Sequence, residues 1–362
     1  MHEEITQKKN VTGYASSIKF IDGEPTDEEC FQVYVERKEP KSDLSEEDLI
    51  PEEYDGKPTD VVEVGEITLL DHFNVDSHIY PDRHSSVFDP ICAGIQIHHV
   101  DHNGAGTIGS PPIENEDGIV GFLSNEHVVA PSAVSPEQGD EIYQGHNDRL
   151  IGNLYSFSNR ENQGEKATND DAFVEIEDID KWSDRILGVG KLNGWKFDED
   201  IDVLDTMVKS GRTTSVTSGR LLSKESSITV TIGEDEDGNR IRQEFGPVHS
   251  HQLAGGGGDS GSLIGTYDEG FYGTSLLFAG GINMMYGIPI EAIFEKHGEL
   301  NPIGLDDHTE PDKYENGFEE GYDEGYGEGF DDGYYSGEQK DCDECEECPS
   351  GLIELIRYIL QR

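Results

Sequence analysis

The stretch Gly258-Asp259-Ser260-Gly261-Ser262 is the most informative part of the sequence, because it sets a serine between glycines in a tight turn. A nucleophilic serine needs a sharp turn that presents its Oγ, and backbone N–H groups aimed at the developing oxyanion. Glycine before the serine permits unusual backbone dihedrals and close approach of a ligand. We therefore predict Ser260 as a nucleophile, with the N–H groups of Gly258 and Ser260 as oxyanion-hole donors. Taken alone, the stretch also fits an ordinary turn.

A histidine and an aspartate elsewhere in the chain have the surroundings expected of partners for this serine. His127 follows the strand-like segment Ile119-Val120-Gly121-Phe122-Leu123, so it lies where a strand ends, as a general base should. Asp171 leads into the apolar segment Ala172-Phe173-Val174. In a catalytic triad the serine attacks, the histidine takes and returns its proton, and the aspartate fixes the imidazole tautomer. We predict His127, Asp171 and Ser260 in these roles, although a surface histidine and a turn aspartate are the commoner fates of such residues.

Residues 91 to about 300 contain many short apolar segments separated by Gly, Asn and Asp turn signals, typical of an all-β sandwich or barrel. We predict four regions. Residues 1–70 form a small α/β unit, in which Thr26 and Glu29 fit a capping box opening a short helix. Residues 71–304 form a double β-barrel. Residues 305–340 are an acidic Gly-aromatic segment, and residues 341–362 hold three cysteines and an amphipathic helix.

The charge is extreme, with 77 acidic and 26 basic residues and a net charge of −51. A polyanion would be repelled, which disfavours nucleic-acid binding. The acid is spread along the whole chain, and salt screens such self-repulsion, so we predict adaptation to a salt-rich interior, as in halophilic archaea or their viruses. The alternative is an ordinary acidic protein. The sequence has neither a long apolar run nor a signal-peptide pattern at its start, so we expect no membrane partner and a cytoplasmic location.

The C-terminal region has two unusual patterns. Glycine recurs every fourth residue from Gly317 to Gly337, with an aromatic after the first five, which fits either a disordered acidic tail or a helix that docks on a partner. Cys342, Cys345 and Cys348 could provide three zinc ligands, but a fourth is not evident, so we predict no metal and no other cofactor. Leu352–Leu360 is amphipathic and too short to fold alone. We expect the tail to mediate homo-oligomer formation or attachment to an assembly such as a virion.

The chain resembles the trypsin-like, chymotrypsin-fold serine proteases, and more closely the prokaryotic and plant NARROW LEAF 1-like proteases. Motifs along residues 10–300 carry this resemblance. They are Asp22–Cys30, Thr59–Gly65, Ala105–Gly109, Leu123–Val128, Lys209–Thr214, Gly258–Ser262 and Leu276–Gly280. It implies a chymotrypsin-like double β-barrel after the small N-terminal domain, and a triad carried over to His127, Asp171 and Ser260. In that pattern Asp170 replaces an apolar residue, so Asp171 is preferred and Asp170 is the alternative.

Two departures from the family pattern bear on activity. The family often has a proline shortly before Gly-Asp-Ser, whereas this chain has Gly255-Gly256-Gly257-Gly258, a loop that we expect to order only when substrate binds. The strand expected to line the specificity pocket, Leu276 to Met285, has no acidic residue, which indicates a small or apolar preference. The segment Ser210–Thr214 also resembles a family signature but has no evident chemical role, and we predict a tight hairpin turn there.

These observations support two functions of different class. The first is a serine endopeptidase acting on a polypeptide substrate in high salt. The second is a structural or binding module built on a protease fold, with the triad retained or idle and the C-terminal tail as the interaction element. Self-processing is a third prediction, which would leave a shortened chain.

Overall fold

A computed structural model of the chain describes residues 2–21, 24–70, 87–102, 104–144, 149–159, 166–235 and 237–305. The predictions for the glycine repeat, the cysteine cluster and the terminal helix concern residues from Gly317 onward, which lie outside this range. The domain boundaries that we placed at residues 70, 304 and 340 stay predictions.

The N-terminal region is a sheet rather than a mixture of helix and strand. Its one α-helix, α1, has four residues, Glu3–Thr6. Five strands follow it: β1 Val11–Ile21, β2 Glu24–Val35, β3 Glu53–Tyr54, β4 Lys57–Glu63 and β5 Thr68–Leu69. The helix expected at Thr26 is wrong, because this residue lies in β2, which pairs with β1 along most of its length. The pairing of β2 with β1 along most of its length has overridden the local capping signal.

The first large sheet contains eight strands, and two of the predicted site residues lie just outside the ends of its strands. Its order is β23-β9-β10-β14-β12-β11-β7-β8. The strands of this part of the chain are β6 Ile91–Ala93, β7 Gln96–His99, β8 Gly106–Thr107, β9 Ile113–Glu114, β10 Val120–Ser124, β11 Glu141–Gln144, β12 Arg149–Phe157, β13 Lys166–Ala167 and β14 Ala172–Ile176. Strand β10 pairs with β14, so the segments before His127 and after Asp171 are neighbours in this sheet.

The second large sheet closes on itself. Its remaining strands are β15 Trp182–Ile186, β16 Gly190–Trp195, β17 Thr206–Gly211, β18 Ser215–Glu234, β19 Arg240–Gln252, β20 Leu263–Tyr267, β21 Phe271–Gly281 and β22 Met284–Pro289, while β23 Asn301–Pro302 joins the first sheet. The order β19-β22-β21-β20-β17-β18 forms a ring, because β18 also pairs with β19. Closure removes the two open edges that a flat sheet would expose.

The N-terminal strands extend this closed sheet. Strand β1 pairs with β18 in antiparallel register, with Gly13 opposite Ile228. Strand β5 pairs with both β18 and β21, so the end of the N-terminal region lies against the strand predicted to line the specificity pocket. The two other α-helices among the described residues are α2, Glu126–Val129, and α3, Ile290–His297. The prediction of a mainly β fold with two barrel-like sheets is confirmed.

Candidate active site

His127 is fixed by a short helix that begins where strand β10 ends. The backbone N–H of His127 donates to Asp170 Oδ1 at 3.1 Å. The carbonyl oxygen of Asp170 accepts from Asn125 Nδ2 at 2.7 Å and from the N–H of Glu126 at 3.2 Å. The segment Asn125–His127 is therefore held by a single residue, Asp170, which lies just before strand β14, and the imidazole position follows from this backbone anchoring.

The structure brings His127, Asp170 and Ser260 into one hydrogen-bonded chain. His127 Nδ1 lies 2.5 Å from Asp170 Oδ2, and its Nε2 lies 2.8 Å from Ser260 Oγ. An ionised carboxylate is only an acceptor, so Nδ1 carries the proton and Nε2 is left to accept from the serine hydroxyl. Asp170 and Ser260 are fully buried and His127 is 3% exposed. This is the geometry required of nucleophile, base and orienting acid.

The prediction that placed Asp171 in the triad needs correction, because the carboxylate of Asp171 points away from His127. Its Oδ2 is paired with His297 Nε2, at the end of α3. His297 Nδ1 in turn lies 3.0 Å from Ser156 Oγ. Successive side chains of an extended segment point to opposite sides, so only one of two adjacent aspartates can face His127. Asp170, the alternative from sequence, is that residue.

The serine loop has the backbone conformation expected from its glycines. Gly258 has a φ of +95° and Gly261 a φ of +91°, in the left-handed region that side-chain-bearing residues rarely adopt. A Cβ on Gly261 would lie 2.4 Å from the carbonyl oxygen of Thr107, so the close approach also needs glycine. The Ala105–Gly109 motif packs here. The N–H of Thr107 donates to the Ser260 carbonyl at 2.8 Å, and its hydroxyl donates to the Gly258 carbonyl at 2.8 Å.

The Lys209–Thr214 motif, which includes the segment Ser210–Thr214 for which the sequence suggested no role, surrounds the carboxylate of Asp259. Asp259 Oδ1 accepts from the N–H groups of Thr213 and Thr214 at 2.8 and 3.1 Å. Asp259 Oδ2 accepts from the Thr214 hydroxyl at 2.6 Å and from Lys209 Nζ at 3.2 Å. Both ends of the Lys209–Asp259 ion pair are 0% exposed. The motif thus fixes the residue immediately before the nucleophile.

The same carboxylate holds the glycine loop. The N–H of Gly256 donates to Asp259 Oδ2 at 3.0 Å, and Thr213 Oγ1 donates to the Gly257 carbonyl at 2.5 Å. The loop is therefore ordered by side chains of the protein itself. The sequence signal that could have indicated this ion pair is a lysine that follows the apolar residues Met207 and Val208, since a buried lysine needs a partner.

Burial and pairing shift the pKa values of this ion pair. Burial lowers the pKa of Lys209, while the Asp259 charge opposes this shift. Burial by itself would raise the pKa of Asp259, but the Lys209 charge and the hydrogen bonds from Thr214 and Thr213 outweigh it and lower the pKa. Asp259 is therefore held as a carboxylate in a dry environment.

Of the two predicted oxyanion-hole donors, Gly258 already has an acceptor. Its N–H donates to the carbonyl oxygen of Leu70 at 2.6 Å. Ser260 Oγ also lies 3.2 Å from the Phe278 carbonyl oxygen. The acceptor for the Gly258 N–H therefore comes from the N-terminal region, and the carbonyl beside Ser260 Oγ comes from strand β21.

The described part of the chain shows no group of three or more His, Cys, Asp or Glu side chains arranged to hold a metal ion. Cys30 and Cys92 are free and buried, and burial raises the pKa of each thiol to about 12. Within the same residues, no helix has both the length and the apolar character needed to cross a bilayer.

Comparisons with known proteins give structural neighbours only. No family model matches the chain, and no curated protein matches its sequence. The structure of Thermobifida fusca protease A is 16% identical over 59% of this chain and 99% of its own, with a TM-score of 0.42. A Cellulomonas bogoriensis chymotrypsin is 16% identical over 59% of this chain and 99% of its own, with a TM-score of 0.40. A Nocardiopsis protease is 14% identical over 58% of this chain and 97% of its own, with a TM-score of 0.39. These neighbours are chymotrypsin-fold serine proteases, and at such low values the likeness assigns no activity to this chain.

Proposed function

We propose that this chain is a serine endopeptidase with His127, Asp170 and Ser260 as its triad. One observation carries the proposal: His127 Nε2 lies 2.8 Å from Ser260 Oγ while its Nδ1 lies 2.5 Å from Asp170 Oδ2. The hydroxyl can pass its proton to Nε2 as Oγ attacks a carbonyl carbon, and the Asp170 carboxylate stabilises the imidazolium that forms. His127 then returns the proton to the leaving amine.

Backbone groups complete the proposed mechanism. The N–H of Gly258 already donates to a carbonyl oxygen, which is the interaction that an oxyanion would strengthen. Asp259 pairs with Lys209 and accepts hydrogen bonds from the backbone N–H groups of Thr213 and Thr214. These bonds fix the orientation of the peptide units on either side of Asp259. Loss of one oxyanion donor typically costs about 10²- to 10³-fold in kcat. The rigidity of this loop supports the proposal of an active site.

The finer predictions from sequence remain proposals. We propose that the substrate is a polypeptide and that the chain is related to the NARROW LEAF 1-like proteases. We also propose that it acts in a salt-rich cytoplasm. The net charge of −51 supports the salt adaptation. The packing of Ala105–Gly109 and Lys209–Thr214 around the serine loop supports the kinship, because both motifs shape the same site.

A second function is favoured by one specific observation. Ser260 is 0% exposed and His127 is 3% exposed, so an external peptide has no access to the nucleophile in this conformation. A structural or assembly module, attached through its C-terminal tail to an oligomer or a virion, would have no need of such access. The two functions differ in whether Ser260 reacts.

A fluorophosphonate probe in multimolar KCl tests the proposal, because it reacts covalently only with an activated serine. We expect the native chain to be labelled, and the folded Ser260→Ala and Asp170→Asn variants to lose the label. The folded Asp171→Asn variant is the matched control and should retain it. A folded native chain that never reacts would favour the assembly module.

A further inference from the structure

The carbonyl oxygen of Leu70 is bound by Gly258, one of the two residues whose N–H groups the sequence predicts for the oxyanion hole. This oxygen accepts from the N–H of Gly258 at 2.6 Å. Gly258 is two residues before the nucleophile and is the donor that the sequence assigned to the oxyanion hole. A donor of this kind binds the carbonyl that is attacked, so the Leu70 carbonyl oxygen has the partner that the proposed mechanism assigns to a substrate.

The N–H of Leu70 is anchored on the other side of the nucleophile. It donates to the Phe278 carbonyl oxygen at 3.1 Å, and Ser260 Oγ lies 3.2 Å from that same oxygen. The backbone of Leu70 is therefore held at both ends by groups that adjoin Ser260. A chance surface contact would not satisfy both polar groups of one residue around the nucleophile.

The residues before Leu70 are bound as a strand. Leu69 is opposite Ala279 and Thr68 is opposite Gly280, in antiparallel pairing between β5 and β21. Strand addition to a sheet is a general way to bind an extended peptide, because the main chain supplies the affinity and side-chain pockets supply the specificity. Strand β21 is thus a peptide-binding edge for Thr68–Leu70.

The side chain of Leu70 fills an apolar pocket and is 6% exposed. It packs in a cluster formed by Ile201, Met207, Leu221, Leu253, Ile264, Leu277 and Met285. Gly280 adjoins this cluster, because a Cβ at that position would lie 2.7 Å from Met285 Sδ and 3.0 Å from Leu70 Cδ2. Burial of a leucine without polar partners favours a substrate residue of this size and character.

We propose that Thr68–Leu70 is an internal substrate of this protease, that its pocket selects leucine, and that Ser260 cleaves the peptide bond after Leu70. This inference rests on the proposed function. It also explains why Ser260 is buried: the chain's own segment fills the site until the bond is cut.

The reaction balances with water as the only co-reactant. Ser260 Oγ bonds to the Leu70 carbonyl carbon, its proton passes to His127 Nε2, and the carbonyl oxygen becomes an oxyanion held by Gly258 N–H. The bond from Leu70 to the nitrogen of Asp71 breaks as His127 donates that proton to the leaving amine. Water then hydrolyses the ester, which regenerates Ser260 and leaves Leu70 with a free carboxylate.

Denaturing mass spectrometry of the full chain, purified and incubated in multimolar KCl, tests the inference. We expect the native protein to give two polypeptides, Met1–Leu70 and Asp71–Arg362, while Ser260→Ala stays intact. Leu70→Asp should stay intact, because it puts a charge into the apolar pocket. Ile21→Asp is the matched control and should still be cut, since Ile21 is 54% exposed and lies outside the bound segment. Leu70→Gly repeats the test without a buried charge, and circular dichroism confirms that each variant is folded.

Each contrary result has a definite meaning when the same proteins are treated with a fluorophosphonate. A native chain that stays intact overturns the proposal that Thr68–Leu70 is an internal substrate. If Ser260 is still labelled in that chain or in Leu70→Asp, the proposed protease function stands without the internal cleavage. If the chains stay intact and neither the folded native protein nor folded Leu70→Asp reacts with the probe, both the internal cleavage and the proposed protease function are contradicted. A cut in Ser260→Ala assigns the cleavage to another protease, and an equal cut in Leu70→Asp overturns the leucine pocket.

Discussion

Asp170 and Asp171 are adjacent in the chain, yet their carboxylates contact two different histidines. Asp170 Oδ2 lies 2.5 Å from His127 Nδ1, whereas Asp171 Oδ2 pairs with His297 Nε2. Both aspartates are fully buried. The pair at His127 continues to Ser260, and the pair at His297 ties α3 to the first sheet, so one aspartate belongs to the proposed chemistry and the other to the fold.

The two aspartates should therefore give opposite results when each is changed to asparagine. Asp170→Asn should lower kcat/KM by about 10⁴-fold, because an amide favours the wrong imidazole tautomer. Asp171→Asn should keep kcat within a few-fold and lower the free energy of unfolding by about 1–3 kcal/mol, because it weakens a buried charge-assisted hydrogen bond. Kinetics with a leucine-containing peptide and urea unfolding measure the two effects. The reverse pattern would restore Asp171 to the triad.

Lys209→Met should strongly destabilise the protein, because it leaves the Asp259 carboxylate without its cation in a fully buried position. Breaking a buried ion pair from one side typically costs about 3–5 kcal/mol. Fluorophosphonate labelling should fall as well, since Asp259 orients the residue beside Ser260. Lys57→Met is the matched control. Lys57 pairs with Glu29 at 3.0 Å on the surface, and its loss should cost less than about 1 kcal/mol. Equal effects of the two changes in urea unfolding would contradict this role.

Stability should fall as the pH decreases below about 6.5, in part because of His251. Burial, reinforced by the charge of His249, lowers the pKa of His251 well below its ordinary value. The folded protein keeps this histidine neutral while the unfolded chain takes up a proton, so the contribution is present above pH 6.5 and is lost on acidification, by up to about 1.4 kcal/mol per pH unit.

His251→Gln should remove the part of the pH dependence of the free energy of unfolding that His251 contributes. The measurement is urea unfolding of both proteins between pH 7 and pH 5, and the difference between them cancels the other titrating groups. Parallel stability curves for the native protein and His251→Gln would show that His251 does not titrate as its burial implies.

The melting temperature should rise with KCl concentration, because a net charge of −51 repels itself and the Debye length falls from about 8 Å at 0.15 M to about 3 Å at 1 M. Thermal unfolding in 0.15, 1 and 3 M KCl measures the effect. Sucrose series at fixed low salt provide the control, because sucrose stabilises compact states without screening charge. A melting temperature that is independent of KCl would contradict salt adaptation.

Sequence patterns were sufficient to predict the β class and to single out His127 and Ser260, which the structure brings together. Each depends on local features: short apolar segments, a strand end and a Gly-flanked turn. They could not choose between Asp170 and Asp171, because that choice depends on which side of an extended segment faces His127. The helix expected at Thr26 failed for a related reason, since pairing between β1 and β2 outweighs a local cap. The contacts of Leu70 with Gly258 and Phe278 join residues about 190 to 210 positions apart, and no local pattern encodes them.

The most direct test of the central claim is fluorophosphonate labelling of Ser260 in multimolar KCl, with the native chain and the Leu70→Asp variant side by side. If His127, Asp170 and Ser260 form a working triad, both folded proteins should carry one label on Ser260, faster in Leu70→Asp, and Asp170→Asn should carry almost none. If neither folded protein reacts, or if Asp170→Asn reacts as fast as the native chain, the triad is not the catalytic centre.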